Sequence, residues 1–391
     1  MPSYHQLGQL PPKRHTKLRR EVEESYLNEG IAYEHVVTTQ GFDRAYSILY
    51  HLRPPTRTQH VGRIEAPPLI AADDQALRHH HFRTNHLPRR GNAVSGRVPL
   101  MFNTDLTCYR CRPADTQKTI YKNACADEVI YIHYGQGHVE TLFGLLPYSE
   151  CDYIVIPRGT LYRFVSSDTA EEDHLIIEAF GTVRVPDRYC NPDGQIQLGA
   201  PLYERDFGKP IELATIDDES PTDVIMKDRE RLTRLTMPHN PLDVIGWDGH
   251  LYPYTFNALD FEPLTGTVHL PPPFQQTFEA PGFVICTFAP RTLDQHPDAI
   301  KVPYAHSNVD ADEVLFYSRG HFGSRRGVDA ASLTLHPGGI PHGPHPGTIR
   351  ASETMTQTEE LAVMFDTDRP LKLTREAMSL DDPQYPMTWL D

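Results

Sequence analysis

Two segments of this chain carry the same pattern of turn and strand residues, and this repeat constrains the fold more than any other feature. Each copy has an Asn, a Glu five positions later and a Gly seven positions after that, then a Pro-x-Gly turn followed by a ring-bearing residue. The members are Asn123, Glu128, Gly135, Pro157, Gly159 and Tyr162 in the first copy, and Asn308, Glu313, Gly320, Pro337, Gly339 and His342 in the second. Short apolar runs bounded by Pro and Gly indicate strands and tight turns. The repeat therefore predicts two similar all-β halves.

The second copy places possible metal ligands close together. His306 and Glu313 adjoin an apolar strand, and the Pro-Gly turn can bring His342 back beside them. Two imidazoles and one carboxylate on one face of a metal leave its other face open, which is the arrangement of mononuclear non-haem Fe(II) oxygenases. Asp310 and Asp312 are alternative carboxylates close to Glu313. The pattern predicts one Fe(II) site.

The first copy lacks these ligands. Tyr121 and Tyr162 stand at the positions of His306 and His342. Because Glu128 with two neutral phenols would be a poor Fe(II) site, we expect the N-terminal half to be a structural partner.

Composition excludes several classes of protein. Proline contributes 35 residues, above its usual share of roughly 5%, which disfavours a helical bundle. The net charge of −15 argues against a nucleic-acid partner. Six cysteines do not indicate a disulfide framework in a chain of this length, and the Cys108/Cys111 pair lacks the second pair that a zinc site needs. Since the chain shows no secretion signal and no membrane span, we expect a cytoplasmic protein without a membrane partner.

The motif H-x-N-x4-E-x6-G, followed by P-x-G-x2-H, closely resembles the two cupin motifs, with Asn308 in place of the second common histidine. The wider context resembles the homogentisate 1,2-dioxygenase family through PYAHSN, RGHF, LHPGG, PHGP and WDGHLYPYTFNALDFEP. The resemblance covers most of the chain and is looser in its N-terminal third. It implies an all-β double cupin, with two jelly-roll β-barrel halves and a few short helices. It also implies Fe(II), a small aromatic acid and O2 as substrates, and a homo-oligomer, either a trimer or a hexamer.

The reaction implied by the resemblance is ring cleavage of homogentisate by O2 to maleylacetoacetate, in tyrosine and phenylalanine catabolism. Two positions depart from the family, because Phe322 and Arg325 stand where it typically carries Tyr and Lys. Arg325 can still bind a carboxylate bidentately, but Phe322 cannot donate a hydrogen bond. Gentisate or another hydroquinone acid is therefore an alternative substrate, and a non-catalytic metal-binding cupin is an alternative function.

The resemblance also implies roles around the metal. Tyr304 matches a tyrosine of the substrate pocket, and His342 would border the substrate as well as bind the metal. His336 matches a family histidine that orients a ligand or reaches bound oxygen. The general-base histidine that the family carries after FD is absent, because this chain reads FEP. His269 is our candidate for that catalytic role, with Glu262 as an alternative.

The pattern of strands and linkers predicts four segments. They are an N-terminal arm at 1–60, an N-terminal cupin half without metal ligands at 61–210, a connector at 211–255 and a C-terminal catalytic half at 256–391.

Three helices are predicted, at 17–28, at 221–235 in the connector and at 374–378 near the C-terminus. The triple histidine at 79–81 is expected to lie in a loop or a subunit contact, because neighbouring side chains cannot all face one metal. The position of His345 is left open between the metal surroundings and solvent.

Overall fold

The computed structural model describes residues 3–19, 30–66, 68–72, 76–167, 171–302, 304–322 and 325–390. Its strands in chain order are β1 His5–Gly8, β2 Tyr33–Thr38, β3 Tyr46–His51, β4 His60–Ile64, β5 His80–Phe82, β6 Val98–Phe102, β7 Leu106–Cys111, β8 Ile120–Asn123, β9 Asp127–Tyr134, β10 Gly137–Thr141, β11 Gly144–Tyr148, β12 Asp152–Ile156, β13 Tyr162–Ser166, β14 Asp173–Ala179, β15 Phe207–Gly208, β16 Thr222–Asp228, β17 Arg231–Met237, β18 Val244–Gly249, β19 Tyr254–Asn257, β20 Gln276–Ala280, β21 Phe283–Phe288, β22 Arg291–Thr292, β23 Asp312–Arg319, β24 Leu333–His336, β25 Gln357–Thr358, β26 Leu361–Thr367 and β27 Lys372–Leu373. The helices α1 Thr348–Ser352 and α2 Arg375–Leu380 are short, and 3-10 turns lie at Gln40–Phe42, Thr84–His86, Asp187–Tyr189, Glu204–Asp206, Ala258–Asp260, Pro272–Gln275 and Tyr385–Trp389.

The N-terminal half is built from two sheets. In the described residues one sheet has the strand order β11-β10-β13-β8-β16-β17-β4 and the other β15-β19-β12-β9-β14-β7-β6-β27. Ile130 and Ile132 of β9 pack between the two sheets with Val139 and Phe164. The intervening Tyr131 faces a second, larger core. Because β9 is covered on both faces, its sequence is almost continuously apolar.

The C-terminal half has a sheet with the order β20-β21-β26-β23-β24-β5 in the described chain. One face of this sheet packs against the N-terminal half in the larger core, through residues such as Val314 and Phe316. Tyr131 of the N-terminal half donates to or accepts from Ser318 at 2.7 Å across this contact. The opposite face of the sheet is therefore free to form a site.

A fourth sheet joins the arm to the connector, with the order β1-β18-β3-β2. The helix predicted at 221–235 is wrong, since this segment forms the β16–β17 hairpin. Its first strand pairs in parallel with β8, which places Val224 opposite Ile120, and Val224 is buried. Pairing with a distant strand has overridden the local helix preference of a Lys- and Arg-rich stretch.

The short C-terminal helix is confirmed. It spans Arg375–Leu380, and the Thr374 hydroxyl caps it by accepting a hydrogen bond from the Ala377 N–H at 3.1 Å. The helix predicted at 17–28 lies largely outside the described residues. Among those that are described, no helix is long and apolar enough to cross a membrane. The all-β double-cupin fold is confirmed.

Candidate metal centre

Glu313 is directed into a cavity by the two-residue period of β23. Side chains alternate between the faces of a strand, so Val314 and Phe316 enter the larger core, whereas Glu313 and Leu315 line the cavity. Only 5% of Glu313 is exposed. The carboxylate that fits the motif thus lies on the free face of the C-terminal sheet.

The same alternation separates the neighbouring carboxylates. Asp312 points to the other face, where its oxygens accept hydrogen bonds from the backbone N–H groups of Gly338 at 2.9 Å and Leu371 at 2.7 Å. Asp310 is exposed. The structure brings Glu313, and neither aspartate, to the two histidines of the motif.

His306 and His342 face each other across a two-residue antiparallel bridge. The backbone N–H of each donates to the carbonyl of the other at 2.8 Å. Each ring directs Nδ1 at a carbonyl two residues back, that of Tyr304 at 3.4 Å and that of Ile340 at 3.2 Å. Donation from Nδ1 leaves both Nε2 lone pairs available to a metal.

The three side chains form one donor set. His306 Nε2 lies 3.6 Å from Glu313 Oε2, and His342 Nε2 lies 3.3 Å from Glu313 Oε1. One ligand atom from each residue lies within 4.8 Å of the others. His342 Nε2 is buried without a hydrogen-bond partner in the part of the chain that the structure describes. A cation between these groups would satisfy that nitrogen, and two imidazoles with one carboxylate fit Fe(II).

The carboxylate of Glu313 is ionised. Burial opposes its charge, but the neighbouring imidazoles of His306, His336 and His342 outweigh burial and hold the pKa of Glu313 well below its usual range. The nearby Glu313 carboxylate in turn raises the pKa of His306, although burial opposes the rise. The negative charge of this buried carboxylate favours a cation at the donor set.

His336 lies beside Glu313 on the neighbouring strand and does not line the cavity. It ends β24 opposite Glu313 in the register, and its Nδ1–H donates to Glu313 Oε1 at 2.8 Å. The Tyr385 hydroxyl contacts the other ring nitrogen at 3.3 Å. Burial lowers the pKa of His336 to about 3, so the ring is neutral. This hydrogen bond lets His336 orient the carboxylate.

A cavity of about 490 Å³ opens beside the donor set, and Tyr304, His269, Phe322 and Arg325 line it. Tyr304 is half exposed, and its ring meets the His269 ring edge-on at 5.4 Å. His269 Nδ1 lies 3.8 Å from Asp294 Oδ2, and burial lowers the pKa of His269. The structure therefore places this candidate base at the cavity wall.

Glu262 is exposed and does not line the cavity. Phe322 is buried and packs edge-on against Tyr317 at 4.8 Å between ring centres. Arg325 donates to the Gly343 carbonyl at 2.6 Å. A guanidinium and an apolar ring thus border the space in front of the donor set.

His345 is buried, and both of its ring nitrogens form hydrogen bonds within the protein. Its Nδ1 accepts from the Arg326 backbone N–H at 2.7 Å, and its Nε2–H donates to the Thr388 hydroxyl at 3.0 Å. Only 1% of the residue is exposed. This histidine joins the loop after β23 to the C-terminal turn.

Two of the three histidines at 79–81 lie in a sheet, so the loop predicted there is wrong for these two. His80 and His81 belong to β5, which pairs with β24. Edge pairing satisfies backbone groups that a loop would leave to solvent. His79, just before the strand, packs its ring 5.4 Å from His336 and 6.0 Å from His342.

Asp366 is a cavity residue that the sequence reasoning missed. It lies on β26 opposite Glu313 in the register and lines the same cavity. Burial, together with the charge of Glu313, raises the pKa of Asp366 to about 8. A signal was present in the sequence, because the acidic Asp366 directly follows the apolar run LAVMF within a predicted strand.

In the N-terminal half a guanidinium lies beside the carboxylate that corresponds to Glu313. Arg97 approaches Glu128 at 2.5 Å and also donates to the Tyr162 hydroxyl at 2.9 Å. Tyr162 donates to the second oxygen of Glu128. The Tyr121 ring packs against Arg97 at 5.5 Å. The guanidinium of Arg97 thus supplies the positive charge beside the Glu128 carboxylate.

The chain is similar to a protein named as a dioxygenase along nearly its whole length. The family model "Homogentisate 1,2-dioxygenase N-terminal" matches residues 93–258. A Saccharolobus solfataricus protein named "Putative dioxygenase" is 38% identical over 390 residues, which cover 99% of this chain and 98% of that protein. The homogentisate 1,2-dioxygenase of Nitrobacter hamburgensis is 26% identical over 254 residues, 62% of this chain and 55% of that protein.

Among solved structures, a cupin 2 conserved barrel domain protein from Leptotrichia buccalis matches with a TM-score of 0.34 and 10% identity, over 77% of this chain and 100% of that one. The match over nearly full length to the Saccharolobus protein and the matching family model agree with the motifs around His306 and His342. The chain belongs to the homogentisate 1,2-dioxygenase family.

Proposed function

We propose that this protein is an Fe(II)-dependent dioxygenase that cleaves the ring of a hydroquinone-type aromatic acid, with homogentisate as the first candidate substrate. The observation that carries the proposal is the donor set of His306, Glu313 and His342 on the wall of a cavity of about 490 Å³. His306, Glu313 and His342 would hold the iron. When bound, the iron would bring O2 and the substrate together and polarise the substrate hydroxyl.

The cavity offers groups suited to each part of such a substrate. Arg325 can grip the carboxylate arm with a charge-assisted hydrogen bond. Leu315, Phe322 and Met364 supply apolar walls for the ring. His269 lies within the same wall and can take the phenolic proton, because the lowered pKa leaves its ring neutral at pH 7.

Ring cleavage of homogentisate adds both atoms of O2 to the substrate and gives maleylacetoacetate. No reductant is needed, because the aromatic substrate supplies all the electrons. Phe322 carries no hydroxyl, so this cavity lacks a hydrogen bond that a tyrosine would provide. That difference supports testing gentisate and other hydroquinone acids beside homogentisate. The homo-oligomer and the cytoplasmic location remain predictions from the sequence.

The test is oxygen uptake by the protein loaded with ferrous iron, against a panel of homogentisate, gentisate and an uncharged hydroquinone. We expect uptake of one O2 per acid consumed and loss of the aromatic absorbance. His306→Ala is the matched control, since it keeps the cavity but removes one ligand. Tight iron binding without uptake on any acid would instead favour a non-catalytic metal-binding cupin.

A further inference from the structure

Asp366 lies beside the donor set with a free carboxylate oxygen. Along β26 the alternating residues Ala362, Met364 and Asp366 line the cavity. In the register Asp366 is directly opposite Glu313, so both carboxylates face the same space. Among the residues that the structure describes, the buried Oδ1 of Asp366 has no hydrogen-bond partner.

In the N-terminal half, other side chains of the protein provide the hydrogen-bond partners of the equivalent carboxylate. There Glu178 lies opposite Glu128 in the same way. Glu178 accepts hydrogen bonds from Tyr109 at 3.0 Å and Asn123 at 3.1 Å, and Lys227 approaches it at 2.6 Å. The chain supplies a full set of partners for this acid.

The contrast concerns two equivalent positions of one repeated fold. A buried acceptor without a partner costs stability, and the repeat demonstrates that side chains able to satisfy it are available to this architecture. The open oxygen of Asp366 is therefore best explained by a partner that arrives from the cavity.

We propose that Asp366 is a substrate-binding residue that accepts a hydrogen bond from a ring hydroxyl of the substrate held at the donor set. This inference rests on the proposed function. Arg325 then binds the carboxylate of a hydroxylated aromatic acid, and Asp366 binds a hydroxyl group of its ring. A ring without that hydroxyl leaves the carboxylate unpaired, so Asp366 selects for hydroxylated rings.

The experiment compares Asp366→Ala and Asp366→Asn with the wild type, each loaded with ferrous iron. Dissociation constants are measured without oxygen for 2,5-dihydroxyphenylacetate, 2-hydroxyphenylacetate and 3-hydroxyphenylacetate, and KM and kcat are then measured by oxygen uptake. Asp368→Asn is the matched control, because this aspartate follows the same strand but is exposed.

We expect Asp366→Ala to weaken binding of the dihydroxy acid by roughly 2- to 10-fold, the range for a hydrogen bond between uncharged groups. Asp366→Asn keeps a neutral acceptor and should lose less. One of the two monohydroxy acids should be insensitive to the substitution, because it lacks the hydroxyl that Asp366 accepts. Iron content should stay at the wild-type level, and the melting temperature of the iron-free protein should not fall.

Loss of iron from Asp366→Asn would overturn the inference by making Asp366 a metal ligand. Equal effects on all three acids, or no effect on any, would overturn it as well. A wild-type protein that neither binds nor consumes any of the acids would refute the proposed function itself, and this inference with it. An active wild type with an unaffected Asp366→Ala refutes the inference alone.

Discussion

Replacing Arg97 by Met should destabilise the N-terminal half without touching the metal centre. The Arg97 side chain is 6% exposed and that of Glu128 is 0% exposed, and their charged atoms are 2.5 Å apart. Methionine keeps the length and apolar contacts of the stem but removes the charge. The variant thus leaves a buried carboxylate without its cation.

The size of the effect has an upper limit, because Glu128 can take up a proton in the variant. A glutamate in the unfolded chain titrates near pH 4.3, so carrying the proton into the fold at pH 7 costs about 3.7 kcal/mol. This agrees with the roughly 3–5 kcal/mol seen when one partner of a buried ion pair is removed. Tyr162 and Asn123 still donate to Glu128, so we expect about 3 kcal/mol.

The pH dependence follows from the same proton. In the variant the folded protein binds a proton that the unfolded chain has released above pH 4.3, so stability is lost as the pH rises. The cost relative to wild type should therefore fall by at most about 1.4 kcal/mol per pH unit, from about 3 kcal/mol at pH 7 to roughly 1 kcal/mol at pH 5. Denaturant unfolding at pH 7 and pH 5, followed by fluorescence of the buried Trp247, which packs edge-on against Phe143 of this half, measures both values.

Two further variants control the experiment. Arg97→Met combined with Glu128→Gln removes the stranded charge and should recover most of the stability. Arg369→Met breaks an ion pair whose arginine is 60% exposed and should cost less than about 1 kcal/mol. A cost for Arg97→Met no larger than that of Arg369→Met, or one unchanged between the two pH values, would refute the reasoning.

Three other predictions concern the metal and the substrate. His342→Ala should abolish iron binding and oxygen uptake while leaving the fold intact, whereas Tyr162→Phe should keep full iron content. If metal analysis showed that Tyr162→Phe loses iron and His342→Ala keeps it, the iron would lie in the N-terminal half. Glu313→Ala should lose iron because the donor set loses its negative charge, and Asp312→Asn should retain most of it, as metal content at equal protein concentration will show. Arg325→Ala should raise KM for aromatic acids by roughly 10- to 150-fold and change little for an uncharged hydroquinone, and an equal effect on both substrates in steady-state kinetics would contradict a carboxylate contact.

The motif residues could be found from the sequence because their spacing encodes local geometry. A strand of fixed period follows Glu313, and a Pro-Gly turn precedes His342 at a fixed distance. Such relations survive in any fold that keeps the strand and the turn. The repeat likewise revealed that the N-terminal half has tyrosines where the other half has histidines.

Other features depend on contacts between segments that are distant in sequence. Whether 221–235 is a helix or a hairpin was decided by pairing with β8, more than a hundred residues earlier. His79 reaches the rings of His336 and His342 only through the pairing of β5 with β24. Local propensity is too weak to predict either, because its small free energies are exceeded by those of burial and pairing.

The sequence by itself determined the class of fold, the repeat and the three donor residues, since each follows from the periodicity and spacing of residues that are close together in the sequence. Only the tertiary structure decided that Asp312 is held by backbone N–H groups, that Arg97 lies against Glu128, and that Asp366 faces the cavity. Each of these depends on which strands lie side by side and in which register. That choice is made by the free energy of burying whole faces of sheets, which no single segment carries.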